Sequence, residues 1–174
     1  MRYLQRNIDS DLQEWKDSGN RKPLLLRGAR QVGKSSAVRE LGKQFEYFFE
    51  INFENKDFAG AKKVFERHSD PYLICDELTA LYEIPIVQGK TLLFFDEVQL
   101  CVDAISALRY FYEQMPSLHV VAAGSLLEFA LQKIPSYAVG RRSFSRNVCG
   151  NRTCKVAKQP PASRTLLLAT RKRR

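Results

Sequence analysis

Leu24-Leu25-Leu26-Arg27-Gly28-Ala29-Arg30-Gln31-Val32-Gly33-Lys34-Ser35-Ser36 is the stretch that decides the fold. Pro23 opens a short apolar run flanked by loop signals, which predicts a buried strand. Residues 28–35 then match the pattern G-x-x-x-x-G-K-[ST] of a phosphate-binding loop. The spacing has a physical basis. Such a loop wraps a phosphate with its backbone N–H groups, and Gly28 and Gly33 permit the dihedrals and the close approach this needs. A helix starting at Lys34 aims the positive end of its dipole at the anion. Lys34 reaches the β- and γ-phosphates, and the Ser35 hydroxyl is a ligand for Mg²⁺. Gly28, Ala29, Arg30, Gln31, Val32, Gly33, Lys34, Ser35 and Ser36 are therefore the expected cofactor-binding residues, although Arg30 and Gln31 need not face the nucleotide. No guanine-reading N-K-x-D is present, which favours ATP.

The second signal is Thr91-Leu92-Leu93-Phe94-Phe95-Asp96-Glu97, an apolar strand ending in two carboxylates. Carboxylates at the mouth of a buried strand cost solvation unless something uses them. Beside a phosphate loop, Asp96 is the expected metal residue and Glu97 the expected general base. Ser125 follows another apolar strand, HVVAAG. It reads either as a polar contact to the γ-phosphate or attacking water, or as the N-cap of the helix that follows. Asn52, near a strand end, reads as a hydrogen-bond partner of Glu97 or as a simple strand-end polar residue. Gln99 is placed beside the site, and Arg141 is read as reaching phosphate in a neighbouring copy of the chain. Self-association or a partner protein would follow from that.

Around these motifs the pattern alternates. Ile8, Leu12 and Trp15 predict a helix over 7–18. Strands are expected at 24–26, 47–53, 91–95 and 119–123. Helices are expected at 34–44, 59–68, 73–83, 102–114 and 125–132. Strands alternating with helices define an α/β fold with a parallel sheet flanked by helices. No apolar run approaches the roughly 18 residues of a membrane span, and the polar N-terminus has no signal-peptide core, so the expectation is cytoplasmic with no membrane partner. Cys75 and Cys101 read as small buried hydrophobes. Cys149 and Cys154 lack the companions of a zinc site. His68 and His119 read as structural or solvated.

The stretches RKPLLLRGARQVGKSS, EINFE, LLFFDEVQ, VVAAGSLLEFAL and IPSYAVGR together resemble a family of bacterial and archaeal AAA-type ATPases whose members carry a further C-terminal domain of unknown function. The resemblance covers about residues 1–141. It implies an AAA-like P-loop core, Mg-dependent ATP hydrolysis, Asp96-Glu97 as the Walker B pair and Ser125 at the sensor position. Glu97, Lys34 and Ser125 are then the catalytic set, and Ser35 with Asp96 the metal set.

Charge divides the chain. Residues 1–140 carry 17 Lys and Arg against 19 Asp and Glu, whereas residues 141–174 carry 11 and none. The tail from 142 to 174 shows no sustained period and is expected to be disordered. Two accounts of it stand. One is a non-native ending, as a frameshift produces, which leaves the core truncated. The other is a basic arm that binds nucleic acid by counterion release. On the first account the fifth strand is missing and residues 24–27 form an exposed, aggregation-prone edge. Nucleotide binding without turnover is then the alternative to hydrolysis.

Overall fold

The computed structural model describes residues 7–19, 21–125 and 127, together with the backbone of 144–147. Helix α1 (Asn7–Asp17) buries Ile8, Leu12 and Trp15, the three apolar residues of one face. Trp15 Nε1 donates to the Lys22 carbonyl at 2.7 Å, which ties the helix to the segment entering β1 (Leu24–Arg27). Then follow α2 (Lys34–Gly42), β2 (Tyr47–Asn52), α3 (Ala59–Arg67), α4 (Pro71–Tyr82), β3 (Thr91–Asp96), α5 (Val102–Gln114), β4 (His119–Gly124) and β5 (Phe144–Asn147). The Asp70 side chain caps α4 by accepting from the Tyr72 amide at 2.8 Å, and Pro71 opens the helix where its missing N–H costs nothing.

The five strands form one parallel sheet in the order β2-β3-β4-β1-β5. Each central strand is sandwiched between helices, which is why β3 and β4 read as unbroken apolar runs and are buried throughout. Successive side chains go to opposite faces. Leu24, Leu26, Leu92, Phe94, Val121 and Ala123 pack with α1 and with Ala37, Val38 and Leu41 of α2. Leu25, Phe49, Ile51, Leu93, Phe95, Val120 and Ala122 pack with α3, α4 and α5. On that second face Phe95 contacts the rings of Phe53, Phe65 and Phe111 at centroid distances of 6.0, 5.3 and 6.2 Å. Burying each such side chain is worth about 1.5–3 kcal/mol.

Two expectations are overturned. Residues 24–27 are not an edge: β1 pairs with β4 on one side and with β5 on the other, Leu24 aligning with Phe144 and Arg27 with Asn147. The stretch after Arg141 therefore supplies a strand, contrary to its reading as wholly disordered. Parallel pairing is made by backbone groups, so the basic composition of the segment does not prevent it. Short 3₁₀ turns at Lys56–Phe58 and Val98–Leu100 were not anticipated either. The expected helix 125–132 lies mostly outside the described residues, as does the tail beyond 147.

Cys75 and Cys101 are buried free thiols, and burial pushes them up to about 12 and about 11. His68 pairs with Glu77 at 2.9 Å. His119 is buried edge-on to Trp15 and Phe45. Desolvation, with the Arg21 charge adding to it, pushes its imidazole down to about 4.

Two outcomes follow from this packing. Between pH 6.5 and about 4 the unfolded chain takes up the His119 proton more readily than the folded one. This contribution to stability is complete above pH 6.5 and is lost as pH falls towards 4. Thermal melts across that window should show a shallower acid loss in His119→Phe than in the wild type. A chain ended at residue 143 lacks β5 and exposes β1, so it should melt lower and aggregate with rising concentration, read by light scattering.

Candidate nucleotide site

In a parallel sheet, sites form beyond the carboxyl ends of the strands. Here Arg27 aligns with Gly124, and Asn52 with Asp96, so four strands deliver their last residues to one rim. The chain leaving β1 turns at Gly28 (φ 148°), passes Gln31 (φ 61°) and enters α2 from Gly33 (φ 87°). Both glycines of the motif thus hold conformations that L side chains rarely adopt, and Gln31 holds one at a cost. The strain lies in the loop that the sequence assigns to phosphate.

Lys34 is only 6% exposed. Its ammonium donates to the Gly28 and Ala29 carbonyls at 2.8 and 2.7 Å. Burial lowers its pKa, with the Glu97 and Asp96 carboxylates opposing. The Ser35 hydroxyl donates to Asp96 Oδ2 at 2.7 Å. Asp96 Oδ1 accepts from the Glu97 amide at 3.1 Å. Burial raises the Asp96 carboxyl, with the Ser35 and Glu97 hydrogen bonds opposing. A serine hydroxyl and a carboxylate from two different elements, already in contact, are hard oxygen donors of the kind Mg²⁺ takes together with phosphate oxygens. The donor set therefore fits a magnesium nucleotide.

Glu97 sits in the left-handed region at φ 50°. Its Oε2 accepts from Gln99 Nε2 at 2.5 Å and lies 3.5 Å from the Ser125 hydroxyl. The structure thus gathers Lys34, Ser35, Asp96, Glu97, Gln99 and Ser125 at one rim. Asn52 does not join Glu97: its Oδ1 accepts from the Glu54 amide at 2.9 Å, closing its own turn. Arg30 turns outward into an exposed ion pair with Glu54 at 2.7 Å. The N-cap reading of Ser125 cannot be matched to described residues, and Arg141, Cys149 and Cys154 lie outside them. Sequence reading placed Gln99 only loosely. Its bond to Glu97 depends on the 3₁₀ turn that folds the chain back, and no period announces so short an element.

A parallel sheet in this order, with its phosphate loop between β1 and α2, defines an AAA-type P-loop fold. A family model described as an AAA domain matches residues 20–148, well over half of the chain, and the chain belongs to that family. The match runs past Arg141 and takes in β5, so the family likeness extends further than the motifs indicated. Among solved structures, the Walker-type ATPase of Pyrococcus abyssi aligns at 19% identity and a TM-score of 0.54, over 84% of this chain and 53% of that one. PCH-2 of C. elegans aligns at 18% identity and a TM-score of 0.50, over 83% and 43%. At these identities the likeness is one of fold. The chain spans about half the length of the structures it matches. No curated protein sequence matches significantly. Among the described residues no helix is long and apolar enough to cross a membrane.

Holding a carboxylate above its ordinary range opposes folding at neutral pH. In Asp96→Asn the side-chain oxygen keeps the Glu97 amide, and its nitrogen meets Ser35. The nucleotide-free variant should melt higher than the wild type. Scanning calorimetry at pH 7 checks this.

Proposed function

We propose that this domain binds ATP with Mg²⁺ on residues 28–36 and hydrolyses the γ-phosphoryl bond. The observation that carries the reading is the Ser35–Asp96 contact at 2.7 Å, with the buried Lys34 preceding Ser35 and Glu97 following Asp96 in the chain. A hydroxyl from the start of a helix and a carboxylate two strands away have no structural need to meet under a strained loop. Together they would hold Mg²⁺, which when bound would neutralise charge on the phosphates.

The rest is the work of the chain. Gly28 and Gly33 let the loop close on the triphosphate, and Lys34 exchanges its two loop carbonyls for phosphate oxygens. One ammonium thus serves both states. Glu97 takes a proton from water. The water oxygen forms a bond to the γ-phosphorus, the bond to the β–γ bridging oxygen breaks, and ADP and inorganic phosphate leave. Ser125, within reach of Glu97, sits where a hydroxyl can orient that water. Positioning and electrostatics supply most of the rate in such reactions.

Lys34→Ala should weaken ATP binding by tenfold or more, read with a fluorescent ATP analogue. Glu97→Gln should keep binding within a few-fold and lower kcat by roughly 10²–10⁴. A Glu97→Gln variant with wild-type turnover would overturn the assignment of the base.

A further inference from the structure

Gln99 lies in the 3₁₀ turn Val98–Leu100, directly after Glu97. Its carboxamide is hydrogen-bonded at one end and packed against backbone at the other. Nε2 donates to Glu97 Oε2 at 2.5 Å. Oε1 is buried with no hydrogen-bond partner among the described residues. The backbone of Gly124, the last residue of β4, lies against it: a Cβ at Gly124 would fall 2.1 Å from Gln99 Oε1, and 3.1 Å from Leu127 Cγ. A buried carboxamide oxygen without a partner is costly. A side chain free to choose would turn to solvent. This one stays under β4, and the bond it makes there is to the one carboxylate that the proposed reaction needs as base.

Resting on the hydrolytic reading of Glu97, we infer that Gln99 is a positioning residue: its amide fixes one oxygen of the Glu97 carboxylate and leaves the other to take the proton from water, and Gly124 is glycine to let that amide pass beneath β4. Glu97 needs such a hold. Its backbone is in the left-handed region, and its side chain leaves the strand at the point where sheet pairing ends. Asn52, the polar residue that closes β2 beside it, turns its Oδ1 to the Glu54 amide. The Ser125 hydroxyl, at 3.5 Å, is too far to fix the carboxylate alone. A misplacement of about 1 Å at a reacting group costs on the order of 10²-fold in rate.

The inference makes Gly124 a steric reporter. In Gly124→Ala the methyl group meets the far end of a flexible side chain, so the backbone stays and the Gln99 amide moves off Glu97. The test compares full-length wild type, Glu97→Gln, Gln99→Ala, Gly124→Ala and the Gln99→Ala/Gly124→Ala double variant, reading kcat, KM and the Kd of a fluorescent ATP analogue. Gln99→Ala and Gly124→Ala should each lower kcat about 10–100-fold with KM and Kd within roughly threefold. The double variant should be no slower than the slower single, because the added methyl fills space that the shortened side chain vacates. Full kcat in both singles, or multiplied losses in the double, overturns the inference while an inactive Glu97→Gln leaves the hydrolytic reading standing. Wild-type turnover in Glu97→Gln sinks that reading instead. The Gln99 side-chain amide also reports without turnover. Its ¹⁵N–¹H resonances should be shifted and protected in the wild type, and should revert to free-amide values in Glu97→Ala and Gly124→Ala. Free-amide resonances in the wild type would contradict the contact itself.

Discussion

The hydroxyl of Ser35 and the carboxylate of Asp96 meet at 2.7 Å although 61 residues separate them, and the rest of the structure serves that meeting. Asp96 ends β3, Ser35 lies in the first turn of α2, and α2 follows β1 in the chain, with β4 lying between the two strands. The contact exists because α2 lies across the sheet. Ala37, Val38 and Leu41 share one apolar cluster with Leu24 and Leu26 of β1, Val121 and Ala123 of β4, and Leu92 and Phe94 of β3. Close packing of that cluster sets where the first turn of α2 falls. The inward residues of α2 thus position the Ser35–Asp96 contact as firmly as the loop does.

Burial at this rim is costly, and the costs offset one another only in part. Lys34 is lowered and Asp96 raised by desolvation, each opposed by its neighbours. Gln31 in the loop and Glu97 just past β3 both hold positive φ, as does Glu83 at the end of α4. Unfavourable terms of this kind concentrate at sites where function holds them. Away from the rim the central strands are apolar and covered on both faces, and exposed ion pairs such as Lys43–Glu40 contribute little.

Much of this was legible in the residues. The run Leu24–Leu26, the glycine spacing and Lys34-Ser35 gave β1, the loop and α2, because each follows from a local rule. The apolar run ending in Asp96-Glu97 gave β3 and the acidic pair, and the helix expected at 102–114 is α5. What escaped is non-local or too short to have a period. β5 is four residues whose pairing with β1 is a backbone matter, hidden in a segment read for its charge. The Asn52 turn and the Arg30–Glu54 pair draw two plausible site residues away by contacts that no spacing encodes. Gln99 reaches Glu97 only because the chain folds back after a residue in the left-handed region, a conformation sequence rules do not assign to glutamate.

The central claim is that the Ser35–Asp96 contact is a magnesium site that a nucleotide completes. Isothermal titration of ATP into the full chain, with Mg²⁺ and with EDTA, tests it most directly. One binding site that Mg²⁺ tightens, and that loses this tightening in Ser35→Ala while metal-free binding persists, is the predicted result. The same affinity with and without the metal, or no binding heat at all, would contradict it.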